Sequence, residues 1–346
     1  MKITFVLPGY ERSGGVRVTV EMANRLLRLG YDVRIVYRVS PLFSINTYKK
    51  LLRTSYYKIC NYTEISWLQN SKCKLQSYIE INDIDFEKGE IVIAVGTYTI
   101  KDVYNIHKDI IKIRYCHGFS EYLQELTNEV WGLSMPTISV SDQLITRIKE
   151  LSGEEPLDVV PNGINTDEYF IENKVRDGIG AVFSLHYSKA PEFTIELMCK
   201  VHERWPDLAQ YVFSTDSKPK ELKWIYYIRF PSIALARDFY NRSKIWCITS
   251  RSEGFCLPIL EAMACGCAVV STNLDTAPGL IKHAENGFIV PFGNINAFIE
   301  YIEILLNNEN LRYRLVQKDL DTIKKFTWDN AVSKMDSVLR RIKESS

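Results

Sequence analysis

The chain has 346 residues, more than one hydrophobic core usually fills, so two domains of roughly 150 to 200 residues are expected. With 46% hydrophobic and 25% charged residues it has the composition of an ordinary globular protein. Its 43 lysines and arginines nearly cancel 42 aspartates and glutamates, no long block of like charge occurs, and a nucleic-acid partner is therefore not expected.

From the N-terminus, Lys2 to Leu7 reads as a buried strand, Val16 to Leu29 as a helix and Asp32 to Tyr37 as a second strand. Val16, Val20, Ala23, Leu26 and Leu27 recur at helical spacing, and Gly30 ends the helix. Between strand and helix, Pro8 to Gly15 contains the adjacent pair Gly14-Gly15. Glycines at that place let backbone amides approach a phosphate or a sugar, with the helix dipole adding positive potential. A flexible turn is the competing reading, because neither GxGxxG nor a P-loop is present.

Pro41 to Tyr78 is the least regular stretch, with six cations between Lys49 and Lys74 interleaved with Tyr48, Tyr56, Tyr57 and Trp67. That mixture suits peripheral contact with an anionic membrane surface, although a solvated face explains it too. Strands then resume at Glu90 to Val95, Ile110 to Tyr115, Thr137 to Val140 and Leu157 to Val160, with a helix over Ser141 to Leu151. His117 follows a strand end, where parallel α/β folds place ligands. Pro161 to Asn165 is a turn cluster and the expected hinge.

The second half repeats the pattern, with strands at Ile179 to Leu185, Gln210 to Thr215, Trp224 to Ile228, Ile245 to Thr249, Ala268 to Ser271 and Gly287 to Val290. Helices are expected over Asn294 to Leu306 and Asn310 to Lys325. Trp328, Ala331, Val332, Met335, Val338, Leu339 and Ile342 form an apolar stripe on a last helix that should dock. Ser252 to Gly266 reads as a loop carrying Glu253, then a short helix carrying Glu261, with Pro258 at its start and Gly266 past its end. The eight cysteines lack a CxxC pair, so buried reduced thiols are expected, with Cys265 and Cys267 structural. Met1 leads directly into an apolar strand and no run reaches about eighteen apolar residues, which points to a cytoplasmic protein.

The run Glu253-Gly254-Phe255-Cys256-Leu257-Pro258-Ile259-Leu260-Glu261 closely resembles the Glu-x7-Glu signature of family 4 retaining glycosyltransferases, which have the two-domain GT-B fold. Ser13-Gly14-Gly15, Val159 to Asn165, Glu285 to Val290 and Phe326-Thr327-Trp328 resemble further parts of that family in the same order. The resemblance implies an α/β, GT-B architecture of two Rossmann-like domains facing across a cleft. Residues 1–163 would bind the acceptor, 164–326 the nucleotide sugar, and helix 327–346 would cross back to the first domain. It implies a nucleotide-diphosphate sugar as donor, a glycan, polysaccharide or lipid-linked acceptor, and no metal or other cofactor; peripheral contact through residues 41–78 would place the protein at the inner face of a membrane.

By the same resemblance Glu253 accepts hydrogen bonds from the donor sugar and Glu261 binds ribose hydroxyls. The amides of Gly254, Phe255, Cys256 and Leu257 contact phosphate or sugar, and His117 faces the reaction centre from the first domain. Gly14 and Gly15 help choose the acceptor. Lys189 matches the family's phosphate-binding lysine, but Ser184 stands where its arginine is expected, with Arg251 the favoured replacement and His186 the other. Base recognition is placed near Arg229 and Phe230. Asp83-Ile84-Asp85 and Asp319-Leu320-Asp321 match a metal-binding Asp-x-Asp pattern and are read as chance. Two other classes compete: a catalytically weak or silent nucleotide-sugar-binding scaffold, which would explain Ser184, and a dinucleotide oxidoreductase, which the lack of GxGxxG disfavours.

Overall fold

The computed structural model describes residues 1–10, 12–39, 66–119 and 123–345. The chain divides into two compact units, Met1–Pro161 together with Ala331–Ser346, and Asn162–Asn330.

In the first unit, β1 (Lys2–Leu7), α1 (Gly14–Arg28), β2 (Asp32–Arg38), β3 (Lys74–Tyr78), β4 (Ile91–Val95), α2 (Thr97–Tyr104), β5 (Ile111–Cys116), α3 (Gln124–Trp131), β6 (Thr137–Ser139), α4 (Ile145–Ser152) and β7 (Asp158–Val159) follow in order. All seven strands pair in parallel in the order β3-β2-β1-β4-β5-β6-β7. Strands buried on both faces read as continuous apolar runs, and β1 and β4 do so: Ile3, Phe5, Ile91 and Ile93 are fully enclosed. Ser13 caps α1 by accepting from the Val16 amide at 3.3 Å. Residues 331–345 of α11 (Trp328–Ser345) pack here by burying Ala331, Met335, Val338 and Leu339. Tyr31 donates to Asp336, and Arg341 pairs with Asp158 at 2.6 Å.

Most of Pro41 to Tyr78, with its expected membrane contact, lies outside the described residues. Its end forms β3, and the guanidinium groups of Arg12 and Arg17 lie 4.5 and 5.1 Å from the centre of the Trp67 ring. α2 and α3 are helices that the periodicity does not reveal.

The second unit holds β8 (Gly178–Val182), α5 (Pro191–Arg204), β9 (Ala209–Ser214), β10 (Tyr226–Arg229), α6 (Ile233–Arg242), β11 (Ser243–Ile248), α7 (Leu257–Ala264), β12 (Ala268–Thr272), α8 (Ala277–Leu280), β13 (Phe288–Val290), α9 (Ile295–Asn307) and α10 (Glu309–Ile323). Its six strands are parallel in the order β10-β9-β8-β11-β12-β13. Ile179, Ala181, Val212, Ile245 and Val270 from the strands meet Leu197, Phe298 and Ile302 from the helices in the core. The strand order reverses direction between β8 and β11, and a crevice at such a switch point is where open parallel sheets bind ligands.

The expected hinge packs against the segment before α11. The Ile164 amide donates to the Phe326 carbonyl at 2.8 Å, and a Cβ on Gly163 would lie 2.4 Å from the Trp328 backbone nitrogen, so only glycine fits. Among the described residues, seven cysteines are free thiols, all but Cys199 buried, and no helix is long and apolar enough to cross a membrane.

Candidate active site at the switch point of the second sheet

Two loops leave the sheet side by side at the switch point, residues 183–190 after β8 and 249–256 after β11. They are stitched together by backbone hydrogen bonds: the Arg251 and Ser252 amides both donate to the Ser188 carbonyl, at 2.7 and 3.2 Å. Behind them, the Thr194 and Thr249 hydroxyls meet at 2.6 Å, and the Thr272 hydroxyl donates to the Ser250 carbonyl at 2.6 Å. This double stitch brings Lys189 and Glu253, 64 residues apart, into an ion pair. The Ser250 hydroxyl donates to the same Glu253 oxygen at 2.8 Å. Burial opposes the charge on Lys189, but the Glu253 carboxylate more than offsets it and holds the ammonium above the usual lysine range.

Beyond Glu253 the chain turns through Cys256, whose φ of 68° is left-handed, and enters α7 at Leu257. Pro258 falls in the first turn. The side chain of the N-cap residue Cys256 makes no capping hydrogen bond and no acid stands in the first turn, so the start of the helix retains positive potential. Such a terminus stabilises a phosphate. Phe255 anchors the turn by packing on Phe326, ring centres 5.9 Å apart. Glu261 lies one turn into α7, only 5% exposed, and accepts from the Tyr240 hydroxyl at 2.8 Å. Burial, reinforced by that carboxylate, pushes the Tyr240 hydroxyl well above its ordinary pKa, so it stays a donor and orients Glu261. At the far end Gly266, with φ of 77°, terminates the helix.

At the position of the family's arginine, the Ser184 hydroxyl and the Leu185 amide both donate to Asp216, at 3.1 and 2.8 Å. Neither expected replacement reaches into this gap as a free cation. Arg251 pairs with Glu192 of α5 and lies against the rings of Tyr187 and Phe292, 4.6 and 4.5 Å from their centres. His186 shares a 2.8 Å contact with the Ser188 hydroxyl, and burial followed by the nearby Lys189 charge lowers its pKa, which keeps it neutral at pH 7.

Glu253, Lys189, Arg251, Gly254, Phe255, Cys256, Leu257 and Glu261 thus gather in the second unit, whereas His117, Gly14 and Gly15 belong to the first. His117 follows β5 and packs edge-on against Tyr115, ring centres 4.2 Å apart. Its Nε2 is shielded without a hydrogen-bond partner among the described residues, and burial pushes its pKa down to about 4, so the imidazole is neutral. Among the described residues, and apart from the adjoining chain, nothing lies within 4 Å of where a Cβ on Gly14 or Gly15 would stand. Of the two Asp-x-Asp triplets, Asp85 pairs with Lys108 at 2.6 Å, while Asp319 is wholly enclosed in α10. No group of three His, Cys, Asp or Glu among the described residues is placed to hold a metal.

Sequence reasoning did not find Ser250, Glu192, Tyr187, Phe292, Tyr240 or Asp216 as parts of the site. Ser250, three residues before Glu253, and Tyr187 and Glu192, two before and three after Lys189, carried a local signal; Phe292, Tyr240 and Asp216 meet the site only through folding.

The two parallel-sheet, Rossmann-like units with their helices are those of the GT-B fold. Sucrose-phosphate synthase of Thermosynechococcus elongatus superposes over all of both chains with a TM-score of 0.75 at 12% identity. HepE of Anabaena, solved in complex with UDP and glucose, superposes over 99% of this chain and 100% of its own with a TM-score of 0.73 at 15% identity. In sequence, residues 230–320 match the family model for group 1 glycosyl transferases. An uncharacterized glycosyltransferase of Haemophilus influenzae is 23% identical over 355 residues, covering 92% of this chain and 94% of that protein. The superpositions show the fold; the sequence matches support the group 1 glycosyl transferase family, and a transferase, for this chain.

Proposed function

We propose that the protein is a retaining glycosyltransferase of family 4 that moves a sugar from a nucleoside-diphosphate sugar to a hydroxyl of a glycan, polysaccharide or lipid-linked acceptor, without a metal ion. The observation that carries this reading is the Lys189–Glu253 pair set beside the uncapped start of α7 at the switch point. A diphosphate leaving group gains negative charge as the sugar departs, and fixed donors aimed at that charge lower the barrier. Lys189 and the amides from Gly254 to Leu257 are such donors. Glu253, held by Ser250, is oriented to accept from a sugar hydroxyl, and Glu261, held by Tyr240, from ribose hydroxyls. The Glu-x7-Glu spacing supports retention, with the leaving phosphate helping to deprotonate the acceptor and positioning supplying much of the rate. His117, as a neutral imidazole, would act by hydrogen bonding rather than by charge.

The test is transfer from a panel of nucleotide sugars. Glu253→Ala and Lys189→Ala are each expected to lower kcat by about a hundredfold or more, the scale of losing one transition-state contact. Glu261→Gln, which keeps a partner for the buried Tyr240 hydroxyl, is expected chiefly to weaken donor binding. Wild-type rates in both Glu253→Ala and Lys189→Ala at saturating substrate would refute the assignment.

A further inference from the structure

Lys189 stands on a poor support. It ends a single 3-10 turn, Tyr187–Lys189, closed by the Lys189 amide to the His186 carbonyl at 2.9 Å and the Ala190 amide to the Tyr187 carbonyl at 3.1 Å. The next residue, Ala190, has φ of 47° and ψ of 65°, a left-handed conformation that costs a non-glycine residue energy before α5 begins. A turn this short and strained does not fix a long cation by itself.

Arg251 supplies what the turn lacks. Its amide holds the Ser188 carbonyl at 2.7 Å, and its guanidinium lies between Tyr187, on the turn, and Phe292, after β13. Its Nη2 pairs with Glu192 in the first turn of α5, just past Ala190. Phe292 in turn packs on Phe193, ring centres 5.4 Å apart. One side chain therefore fastens the residue before Ser188, the first turn of α5 and the loop after β13, bracketing Lys189 on both sides in sequence. The guanidinium carbon stands over two aromatic rings, one edge is paired with Glu192, and the Nε is shielded without a hydrogen-bond partner among the described residues. That is the environment of a brace, not of a cation offered to a phosphate.

We propose that Arg251 is a positioning residue, which holds the Tyr187–Lys189 turn so that the Lys189 ammonium meets the donor diphosphate; it does not replace the arginine missing at Ser184. The proposal rests on the reading of Lys189 as the diphosphate cation. It separates two roles that the sequence alone leaves joined, because a brace depends on the planar, stacking shape of arginine and a phosphate contact depends mainly on its charge.

The test uses the full chain with Arg251→Lys, Arg251→Ala and Glu192→Gln, reading amide hydrogen exchange without nucleotide and binding of UDP and GDP by titration calorimetry. A brace predicts faster exchange at the Lys189 and Ala190 amides in both Arg251 variants. It also predicts that whichever nucleotide the wild type takes binds about tenfold more weakly in both, the scale of a misplaced contact, with lysine failing to rescue. Glu192→Gln is expected to weaken binding as well. Unchanged exchange at those amides, wild-type binding by Arg251→Lys, or tighter binding by Glu192→Gln would each overturn the proposal. Failure of the wild type to bind either nucleotide, with exchange still faster in the variants, would instead strike at the functional reading while leaving the brace in place.

Discussion

Asp319 shows how far a single residue departs from its apparent surroundings. In the sequence it belongs to a chance Asp-Leu-Asp triplet; in the fold it is fully enclosed, and among the described residues neither carboxylate oxygen has a partner at good hydrogen-bond geometry. Burial raises its pKa well above the usual range, and the nearby Asn286 amide, engaged mainly with Leu280 and Thr322, offsets only part of that, so the native state retains a proton that the unfolded chain releases above about pH 4. The contribution of Asp319 to stability is therefore most favourable near or below pH 4 and falls as pH rises towards its folded value. Asp319→Asn removes this dependence. The variant should gain over wild type at pH 8 by about 1.4 kcal/mol for each unit by which the native pKa of Asp319 exceeds its unfolded value, with the gain shrinking towards pH 5 in urea unfolding. A gain independent of pH would show that Asp319 is ionised in the native protein. The neutral His117, by contrast, was legible only as a residue after a strand; its protonation state comes from burial that no local pattern encodes.

At the level of elements, what could be read depended on how much of the signal was local. β1, α1 and the helices α9 to α11 stood out because apolar spacing alone defines them. α2 was hidden because TYTIKDVY is eight residues long and rich in β-branched and aromatic side chains, a composition that reads as strand. β3 was hidden because it is an edge strand whose residues, apart from Tyr78, are largely exposed, leaving no apolar run. The loop and helix carrying Glu253 and Glu261 were visible from proline and glycine placement, but the pairing of Lys189 with Glu253 required the parallel neighbours β8 and β11, which only the fold supplies. The turn at Pro161 to Asn165 was read as a turn cluster and hinge, and its packing on Phe326 to Trp328 gives it a second task. Gly163→Ala would place a Cβ against the Trp328 backbone, which has no side-chain freedom with which to yield. The expected loss is about 1–3 kcal/mol, measured as a lower urea midpoint with unchanged slope. No loss would mean that the two segments do not touch in solution.

For the whole molecule, the account combines the GT-B fold, sequence likeness to group 1 glycosyl transferases in residues 230–320, and a site whose cation and carboxylates come from one unit. The competing scaffold reading shares the fold, and Ser184 with its Asp216 partner keeps it in view, since the gap left by the missing arginine holds an acid instead of a base. What divides the two readings is turnover, but both require a nucleotide to bind at Lys189. The most direct measurement is therefore a thermal-shift panel of UDP, GDP, dTDP and ADP sugars on the wild type and on Lys189→Ala. The account predicts that one nucleotide series raises the midpoint of the wild type in a concentration-dependent way and that Lys189→Ala largely abolishes the shift. An equal shift in both proteins, or none from any series in the wild type, would contradict it.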